Sequence, residues 1–466
     1  MRLSLEEAAR MLSTSLSRPA PGLEATGVAV DSRRVRPGDL FLAIKGEFLD
    51  GHDFVEDVFQ SGAAAAVVSR PVPGAPGPLL LVADPLLALA RLARWARDTL
   101  DPVVIGVSGS TGKTSTKDLL ASITRRKFST VAPERSYNND IGVPLTLLAA
   151  GASTEVVVCE LGARGPGQIA RLCAYVRPQV GVVTNVGVTH YEQFGSVEAI
   201  ASAKAELVAA LPEGGTAVLN ADDPMTSAMA AKTSANVVSF GTSPTAWLRA
   251  ERIRLDRLGR PSFRMVRGFE GTEASLSVAG RHQVANALAA SAAAMALGLS
   301  LEECRAGLEG AAVSPWRMEV REVGGVVVVN DAYNANPTSM SSALETCAQM
   351  AGENGRLVAV LGYMAELGER STLEHEAAGA LAASLADRLV VVGEAAGPIA
   401  EGARRAGLRN VVPVPDRDAA LGAIGELARG DVVLVKASRI AGLDALAGAL
   451  LEVLEPLEKF ERPAAR

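Results

Sequence analysis

The stretch that decides the fold is Gly106-Val107-Ser108-Gly109-Ser110-Thr111-Gly112-Lys113-Thr114, which follows the apolar run Val103-Val104-Ile105 and precedes a helical pattern. Its glycines let backbone N–H groups turn inward around phosphate oxygens, Lys113 can reach terminal phosphates, and the Thr114 hydroxyl can ligate Mg²⁺. Val107 replaces the first glycine of the common phosphate loop, so this is a variant that keeps Gly-x-x-Gly-Lys-Thr. The order of strand, turn and helix predicts nucleotide binding rather than a plain glycine-rich turn with a surface lysine. The predicted phosphate contacts are Gly109, Ser110, Thr111, Gly112, Lys113, Thr114 and Ser115.

Length and composition narrow the class of protein. The chain has 466 residues, which predicts roughly three domains, and its 48% hydrophobic content is ample for large cores. A net charge of −6, spread along the chain, argues against nucleic acid as the main partner. No apolar run is long enough to span a membrane, and the start, Met1 to Glu7, is typical of a capped amphipathic helix rather than a signal peptide. The four scattered cysteines form no Cys-x-x-Cys pair, which favours buried thiols in a cytoplasmic protein.

Three segments differ in pattern and predict three α/β domains, with boundaries at 1–98, 99–312 and 313–466. The first alternates short strands and helices, and it ends in a helix over 86–100 before Asp101-Pro102. The second has buried parallel strands, with a small antiparallel excursion between about 236 and 278. The third suits a doubly wound Rossmann-like sheet, although no dinucleotide glycine fingerprint opens it. The predicted strands are Val103–Val107, Val156–Cys159, Val180–Thr184, Thr216–Leu219, Val326–Val329, Leu357–Leu361, Leu389–Val392, Val411–Val414 and Val432–Val435.

Two side chains near predicted strand ends suggest a metal site. Glu160 closes the apolar run Val156–Cys159, and carboxyl ends of parallel strands are where such folds place their ligands. His190 follows the next predicted strand in a chain with only four histidines, so it is a candidate for a metal or phosphate role. Mg²⁺ prefers oxygen ligands, which would make His190 an unusual ligand. The alternative is a structural histidine.

Lys204 is the third candidate. The segment 196–211 is predicted to be a helix capped by Ser196, and Lys204 lies within its apolar stripe, four residues from both Ile200 and Val208. A lysine buried there without a partner is costly and tends to lose its proton. It could extend its amine to the surface or pair with a buried acid such as Glu160. A third possibility is a carbamate formed with CO₂, which would turn a cation into an anionic oxygen ligand for Mg²⁺.

Further motifs run through all three segments: Asp31–Phe41, Asp50–Phe54, Tyr137–Pro144, Glu160–Ala163, Thr184-Asn185 with His190, Lys204, Gly280–Ala287 and Asp331–Pro337. Together with the phosphate loop, and in this order, they are similar to those of the Mur ligases. That family is cytoplasmic and ATP-dependent, and it builds the peptide stem of bacterial cell-wall precursors. The resemblance implies a first domain that binds a uridine nucleotide, a central ATP-binding domain and a C-terminal Rossmann-like domain.

Within the family, Asp331–Met340 and Leu361–Gly368 resemble the member that adds D-alanyl-D-alanine to UDP-N-acetylmuramoyl tripeptide. The ligase that adds the third residue, diaminopimelate or lysine, typically carries an Asp-Asn-Pro-Arg type motif, which this sequence lacks. The implied reaction is ATP-dependent amide formation through an acyl phosphate. A monomer suits the three-domain layout. Tyr363 and Trp316–Glu319 depart from the family's usual patterns.

The resemblance also implies roles for the site residues. ATP would be held by the phosphate loop, with Asn286 on adenine, Asp331 on the ribose and Arg317 reaching the γ-phosphate as an arginine finger does. One Mg²⁺ would be held by Thr114 and Glu160, and a second by His190 and carbamylated Lys204. The implied contacts with the UDP-linked substrate are Ser32, Arg33, Lys45, Tyr137, Asn138 and Asn139. Those with D-alanyl-D-alanine are Asn334 and Asn336, with Glu366 nearby.

Three alternatives remain. A folylpolyglutamate-type ligase shares the nucleotide core, but it would lack the pattern Asp31–Phe41. A phosphate-loop switch protein would turn over nucleotide without any amine, and a GTPase would need an Asn-Lys-x-Asp run, which Thr184–Gly187 is not. The third alternative is the ligase that adds the third residue. Because ATP would lie between the central and last domains, the sequence also predicts open and closed forms, with a hinge at Ala311–Ser314.

Overall fold

The computed structural model describes residues 2–460, with side chains up to residue 455. Met1 and residues 461–466 lie outside the described residues, as do the parts of the predictions that fall on them. Each of the three predicted segments builds its own, mainly parallel sheet, covered by helices. The predicted α/β class is therefore confirmed.

The first segment packs a small parallel sheet against helices. Its strands are β1 (Leu3–Ser4), β2 (Glu24–Ala25), β3 (Gly27–Ala29), β4 (Asp39–Leu42), β5 (Ala65–Val68) and β6 (Leu79–Leu81), and its helices are α1 (Leu5–Met11), α2 (Val55–Gln60) and α3 (Pro85–Leu100). The sheet runs in the order β3–β4–β5–β6. The predicted first helix starts only at Leu5, because the Ser4 hydroxyl accepts a hydrogen bond from the Glu7 N–H (3.1 Å) and caps it. Leu3 and Ser4 instead pair with β2.

Helix α3 runs past residue 98 to the Asp101-Pro102 break, as the sequence predicts. It continues to Leu100, and Asp101 then takes a left-handed conformation (φ 45°) ahead of Pro102. The helix also contacts the central segment, since Arg177 Nη1 donates to Asp98 Oδ1 (3.1 Å). The helix thus ends at the predicted Asp101-Pro102 break, where the Asp101 N–H donates to the Arg97 carbonyl (3.0 Å), and the domain boundaries themselves stay predictions.

The central segment carries the sheet on which the site is built. Its strands are β7 (Val103–Ser108), β8 (Thr130–Val131), β9 (Val156–Glu160), β10 (Val180–Val183), β11 (Thr216–Asn220), β12 (Asn236–Gly241), β13 (Leu248–Leu255), β14 (Pro261–Arg267) and β15 (Glu270–Ser275). Its helices are α4 (Lys113–Thr124), α5 (Gly142–Leu148), α6 (Gln168–Val176), α7 (Tyr191–Phe194), α8 (Val197–Ala209), α9 (Pro224–Ser227), α10 (Gln283–Ala296) and α11 (Leu301–Leu308).

The order of this sheet is β15–β14–β13–β12–β11–β10–β7–β9–β8. Strand β7 lies between β10 and β9, both parallel to it. The ends of β9 and β10 therefore flank the loop that follows β7. The predicted antiparallel excursion is partly wrong, because β12 still pairs in parallel with β11 and only β13–β15 run antiparallel to one another.

The last segment forms the second α/β sheet. Its strands are β16 (Glu319–Val323), β17 (Val326–Asn330), β18 (Leu357–Gly362), β19 (Arg388–Val392), β20 (Val411–Val414) and β21 (Val432–Lys436), and its helices are α12 (Pro337–Ala351), α13 (Ser371–Leu385), α14 (Gly397–Arg405), α15 (Arg417–Ile424) and α16 (Asp444–Phe460). The order is β16–β17–β21–β18–β19–β20, with only β16 antiparallel to its neighbour. The loops after β17, β21 and β18 are thus neighbours at one edge of the sheet.

Candidate active site

The phosphate loop is shaped by two glycines in the positive-φ region. Gly109 has φ 141° and Gly112 has φ 78°. A Cβ atom on Gly109 would lie 1.9 Å from Thr184 Oγ1, and one on Gly112 would lie 2.2 Å from Asn286 Oδ1. Both positions therefore require glycine for conformation and for space.

The end of β10 holds the loop in place. The Asn185 side-chain oxygen accepts a hydrogen bond from the Thr111 N–H (2.9 Å), and the Thr184 hydroxyl donates to the Thr111 carbonyl (2.6 Å). The Ser110 hydroxyl accepts from the Gly187 N–H (2.9 Å). The loop is thus preorganised at the N-terminus of α4, where backbone N–H groups and the helix dipole favour an anion.

The Lys113 amine lies over this loop. Its Nζ donates to the carbonyls of Gly109 (2.7 Å) and Ser110 (3.1 Å). Burial lowers the pKa of Lys113, while the nearby Glu160 carboxylate acts in the opposite direction. The amine is positioned to neutralise an anion in the loop.

Thr114 and Glu160 form the predicted metal pair. The Thr114 hydroxyl donates to Glu160 Oε2 (2.8 Å), and Glu160 Oε1 accepts from the Ser136 hydroxyl (2.6 Å) and the Asn138 amide (2.8 Å). Burial opposes ionisation of Glu160, but the charges of Lys113 and Arg317 hold the pKa of its carboxyl below the usual range.

An ionised carboxylate beside a hydroxyl is a donor set that suits Mg²⁺, which usually keeps several waters and substrate oxygens as further ligands. Across residues 2–455, no three His, Cys, Asp or Glu side chains come together as a metal cluster. This pair thus fits an ion shared with a phosphate better than an all-protein metal cage.

Arg317 brings the last segment to the phosphate loop. Its Nη2 donates to Thr114 Oγ1 (2.9 Å), and its guanidinium lies 4.0 Å from the centre of the Tyr333 ring. The neighbours Trp316 (φ 61°) and Met318 (φ 51°) have positive φ, a conformation uncommon for such side chains. The backbone around Arg317 is thus strained while it presents the guanidinium to the loop.

The predicted nucleotide residues lie around one large cavity. The cavity has a volume of about 850 Å³ between the central and last sheets, and it is lined by the loop, Glu160, Asn286, Arg317 and Asp331. Asn286 donates to Gln283 Oε1 (2.8 Å). Asp331 pairs through Oδ2 with Lys436 Nζ (2.6 Å), and its Oδ1 accepts from the Met318 N–H (3.0 Å).

Family models match along the chain. The Mur ligase family catalytic domain matches residues 24–95, the Mur ligase middle domain residues 107–294, and the Mur ligase glutamate ligase domain residues 316–439. The UDP-N-acetylmuramoyl-tripeptide–D-alanyl-D-alanine ligase of Mycobacterium tuberculosis H37Rv is 43% identical, and the alignment covers 91% of this chain and 92% of that protein. The chain belongs to the Mur ligase family.

Two solved Mur ligase structures are similar over nearly the whole chain. One is MurF from Acinetobacter baumannii, with a TM-score of 0.88, 32% identity and coverage of 97% of this chain and 99% of that chain. The other is the MurF ligase from Thermotoga maritima in complex with ADP, with a TM-score of 0.82, 30% identity and coverage of 94% and 99%. The resemblance inferred from the motifs is confirmed. Within residues 2–460 of this Mur ligase, no helix combines the length and apolar character needed to cross a membrane.

The side chains of His190 and Lys204 differ in whether they have a polar partner among the described residues: His190 is paired and Lys204 is not. His190 Nδ1 lies 2.5 Å from Glu366 Oε2, and this pairing with His190 holds the pKa of Glu366 below its usual range.

Lys204 is 1% exposed in α8, so its amine does not extend to the surface. In the part of the chain that the structure describes, the amine has neither a hydrogen bond nor an ion pair, and the predicted alternative of a pair with Glu160 is wrong. Burial, together with the charge of Lys113, lowers the pKa of Lys204 to about 7.

The residues predicted to bind the UDP-linked substrate lie in two places. Ser32, Arg33 and Lys45 are in the first segment, outside the cavity, and the exposed Arg33 side chain pairs with Asp31 (2.8 Å). Tyr137 joins the two segments, since Arg34 Nη1 donates to its hydroxyl (2.9 Å).

Several predicted amides already have local partners. Asn138 donates to Glu160, as described, and the Asn139 side-chain oxygen accepts from the Gly142 N–H (2.9 Å) at the start of α5. Asn336 caps α12, because its side-chain oxygen accepts from the Ser339 N–H (2.9 Å). Asn334 lines the cavity, and its carbonyl accepts from Lys436 (2.9 Å). For Asn139 and Asn336, a structural role therefore accompanies any contact with substrate.

Sequence reasoning missed Lys436. It is 1% exposed at the end of β21 and pairs with the predicted ribose-binding Asp331. The sequence does contain an indication that Lys436 is unusual. The chain has only eight lysines, and this one closes the apolar run Val432–Val435.

Proposed function

We propose that this Mur ligase joins D-alanyl-D-alanine to UDP-N-acetylmuramoyl tripeptide at the expense of ATP. The M. tuberculosis relative described above is named for that activity, and the similarity to it and to the MurF structure extends over more than nine tenths of this chain, 91% and 97%. The observation that carries the proposal is the contact of Arg317 Nη2 with Thr114 Oγ1 (2.9 Å). It brings a cation of the last segment to the phosphate loop of the central one, as transfer of a phosphoryl group between two bound substrates requires.

The reaction needs activation of a carboxylate. An oxygen of the tripeptide's terminal carboxylate attacks the γ-phosphorus of ATP, ADP leaves, and an acyl phosphate forms. The amine of D-alanyl-D-alanine, having lost its proton, attacks the acyl carbon, and the C–O bond to phosphate breaks. No enzyme nucleophile takes part, so the chain's task is to hold the substrates and to neutralise negative charge.

Lys113, Arg317 and the loop N–H groups would neutralise the phosphates, and Thr114 and Glu160 would hold the first Mg²⁺. Mg²⁺, when bound, withdraws electron density from phosphate oxygens and thereby favours transfer. Asn286 would contact adenine and Asp331 the ribose, with Lys436 fixing the Asp331 carboxylate. The reaction would take place in the cytoplasm, where ATP is available.

We assign a second Mg²⁺ to His190 and a carbamate on Lys204. The amine of Lys204 is buried and unpaired among the described residues, and its pKa of about 7 leaves much of it neutral at neutral pH. A neutral amine can attack CO₂ and release a proton to give an anionic carbamate. The anion would be attracted to Lys113, whose charge now disfavours the protonated amine.

The substrate residues remain as the sequence predicts them. The first segment would hold the UDP end through Ser32, Arg33 and Lys45, and Tyr137, Asn138 and Asn139 would lie along the peptide toward the phosphate loop. Asn334 and Asn336 would line the acceptor side. The Arg34–Tyr137 contact supports this path, because it joins the first segment to the central one.

The test is phosphate release from ATP with UDP-N-acetylmuramoyl tripeptide, adding D-alanyl-D-alanine, diaminopimelate, lysine or glutamate in turn. We expect release only with tripeptide and D-alanyl-D-alanine together. Release with diaminopimelate or lysine on a dipeptide substrate would instead assign the chain to the preceding step. Release without any amine would contradict the ligase assignment but keep the nucleotide site.

A further inference from the structure

Arg439 is a cationic side chain of the cavity that has no role in the reaction proposed above. It follows Ser438 at the carboxyl end of β21, and it lines the cavity that holds the phosphate loop. Its backbone is well fixed, because the Ser438 N–H donates to the Tyr363 carbonyl (3.0 Å) and the Ser438 hydroxyl accepts from the Ala365 N–H (2.9 Å). The residue before Arg439 is thus hydrogen-bonded to the loop after β18, and the exposed Arg439 side chain lines the cavity.

The Arg439 side chain is held beside two aromatic rings. Its guanidinium carbon lies 5.5 Å from the centre of the Trp316 ring and 5.4 Å from that of Tyr333, both within cation–π range. The guanidinium of Arg317 lies 4.0 Å from the same Tyr333 ring. Two like charges near one ring repel each other, and in residues 2–455 neither has a carboxylate within ion-pair distance. This wall of the cavity thus favours anionic ligands.

The other cations of the cavity already have partners. Lys113 and Arg317 serve the phosphate loop, and Lys436 pairs with Asp331. Arg164 Nε lies 3.4 Å from Glu366 Oε1. Among the described cationic side chains that line the cavity, Arg439 remains as the one with neither an acidic partner nor a phosphate to bind.

On the basis of the proposed function, we infer that Arg439 binds the free carboxylate of the dipeptide acceptor. ATP and the activated carboxylate are met by Lys113, Arg317 and Mg²⁺, so the remaining anion of the reaction is the acceptor's own carboxylate. In a dipeptide this group lies one peptide unit, about 3.8 Å of chain, further from the attacking amine than in an amino acid. Arg317, beside Tyr333, contacts Thr114 of the phosphate loop. Arg439, beside the same ring, is the cation left for a group at this longer reach, and its planar fork matches a carboxylate.

The test compares D-alanyl-D-alanine with D-alanyl-D-alaninamide, which has a similar shape but no negative charge at that end. For the wild-type enzyme we expect the amide to have a KM about 10- to 100-fold higher, the range for losing one charge-assisted hydrogen bond. Arg439→Ala should raise the KM for the dipeptide by a similar factor, so that the KM values for the dipeptide and its amide become equal. Its kcat and its KM for ATP should be unchanged. Arg439→Lys should keep part of the preference for the dipeptide over its amide, because lysine retains the positive charge.

Arg409→Ala is the matched control, since it removes an exposed arginine of the same segment outside the cavity. The Arg409→Ala enzyme should prefer D-alanyl-D-alanine over its amide as strongly as the wild type does. An Arg439→Ala enzyme that still prefers the carboxylate, or that instead has a higher KM for ATP or the tripeptide, would overturn the inference and leave the ligase assignment intact. If the wild-type enzyme releases phosphate with neither acceptor, the proposed function itself fails, and this inference fails with it.

Discussion

Lys204 and Lys113 are two buried amines whose positive charges oppose each other. Burial is the larger cause of the lowered pKa of Lys204, and the charge of Lys113 adds to it. Lys113 keeps hydrogen bonds to two loop carbonyls, whereas the amine of Lys204 has no such partner in residues 2–455. Burial thus lowers the pKa of both amines, but Lys113 has hydrogen-bond acceptors and a nearby carboxylate, Glu160, that favour its charged form.

We predict a carbamate on Lys204 that increases as the pH rises through about 7, at a fixed partial pressure of CO₂. The sign follows from the lowered pKa: below it the amine is protonated and cannot attack CO₂, and above it the neutral form dominates. With ¹³C-labelled CO₂, a carbamate resonance should appear in the wild-type protein and be absent from Lys204→Arg.

Lys127→Arg is the control, because Lys127 is an exposed lysine just after α4 that pairs with Glu303. It should keep the resonance. Lys204→Ala should lose ligation while still binding ATP, and short carboxylic acids should partly restore the activity. A wild-type spectrum without the resonance across this pH range would exclude the carbamate.

At the scale of elements, the loop between β7 and α4 depends on contacts with β10. We predict that Gly109→Ala destabilises the protein by about 1–3 kcal/mol, because a strained backbone conformation costs that much. The new Cβ would lie 1.9 Å from Thr184 Oγ1, so either the loop moves or Thr184 turns away and loses its bond to Thr111. Thermal unfolding with and without ADP should show a lower Tm and a smaller stabilisation by ADP.

Gly151→Ala serves as its control. Gly151 does not have a positive φ, and a Cβ there would meet no atom within 4 Å. Its Tm and its response to ADP should stay close to those of the wild type. If Gly109→Ala binds ADP as tightly as the wild type does, the loop does not need the conformation that the structure gives it.

The same elements show what the sequence could predict. Buried parallel strands such as β7 and β17 are apolar runs rich in valine, and hydrophobic burial alone marks them. Edge strand β16, Glu319–Val323, was missed because its charged residues lack such a pattern and its position depends on pairing with β17. Asn336 has a side chain that caps its own helix, a local bond that a functional motif does not reveal.

Some side-chain contacts between distant parts of the chain could not be predicted from the sequence. The family resemblance implied that Thr114 and Glu160 would hold one Mg²⁺ together, and the two side chains are hydrogen-bonded (2.8 Å). The motifs did not predict that Lys436 would pair with Asp331, since that contact depends on β21 inserting between β17 and β18. Strand order inside a sheet is set by tertiary packing rather than by local pattern.

At the scale of the whole molecule, the cavity is complete only while the last segment lies against the central one. Besides the Arg317–Thr114 contact, Ser314 donates through N–H (2.7 Å) and hydroxyl (2.8 Å) to Asp118 at the predicted hinge. On the far side, Glu366 Oε2 contacts His190 Nδ1 (2.5 Å). These contacts join the two segments at both ends of the site, so separation of the segments would open it.

We therefore predict that small-angle scattering will give a smaller radius of gyration with an ATP analogue and the UDP-linked substrate than without them. Glu366→Ala should weaken this compaction, because it removes the His190 contact. A partly exposed ion pair contributes about 0.2–1 kcal/mol, so the closed population should fall by a few-fold at most. Glu374→Ala is the matched control, since Glu374 pairs with Arg370 within the last segment (2.6 Å). A wild-type radius that is equal with and without ligands would contradict this prediction and mean that the segments do not separate.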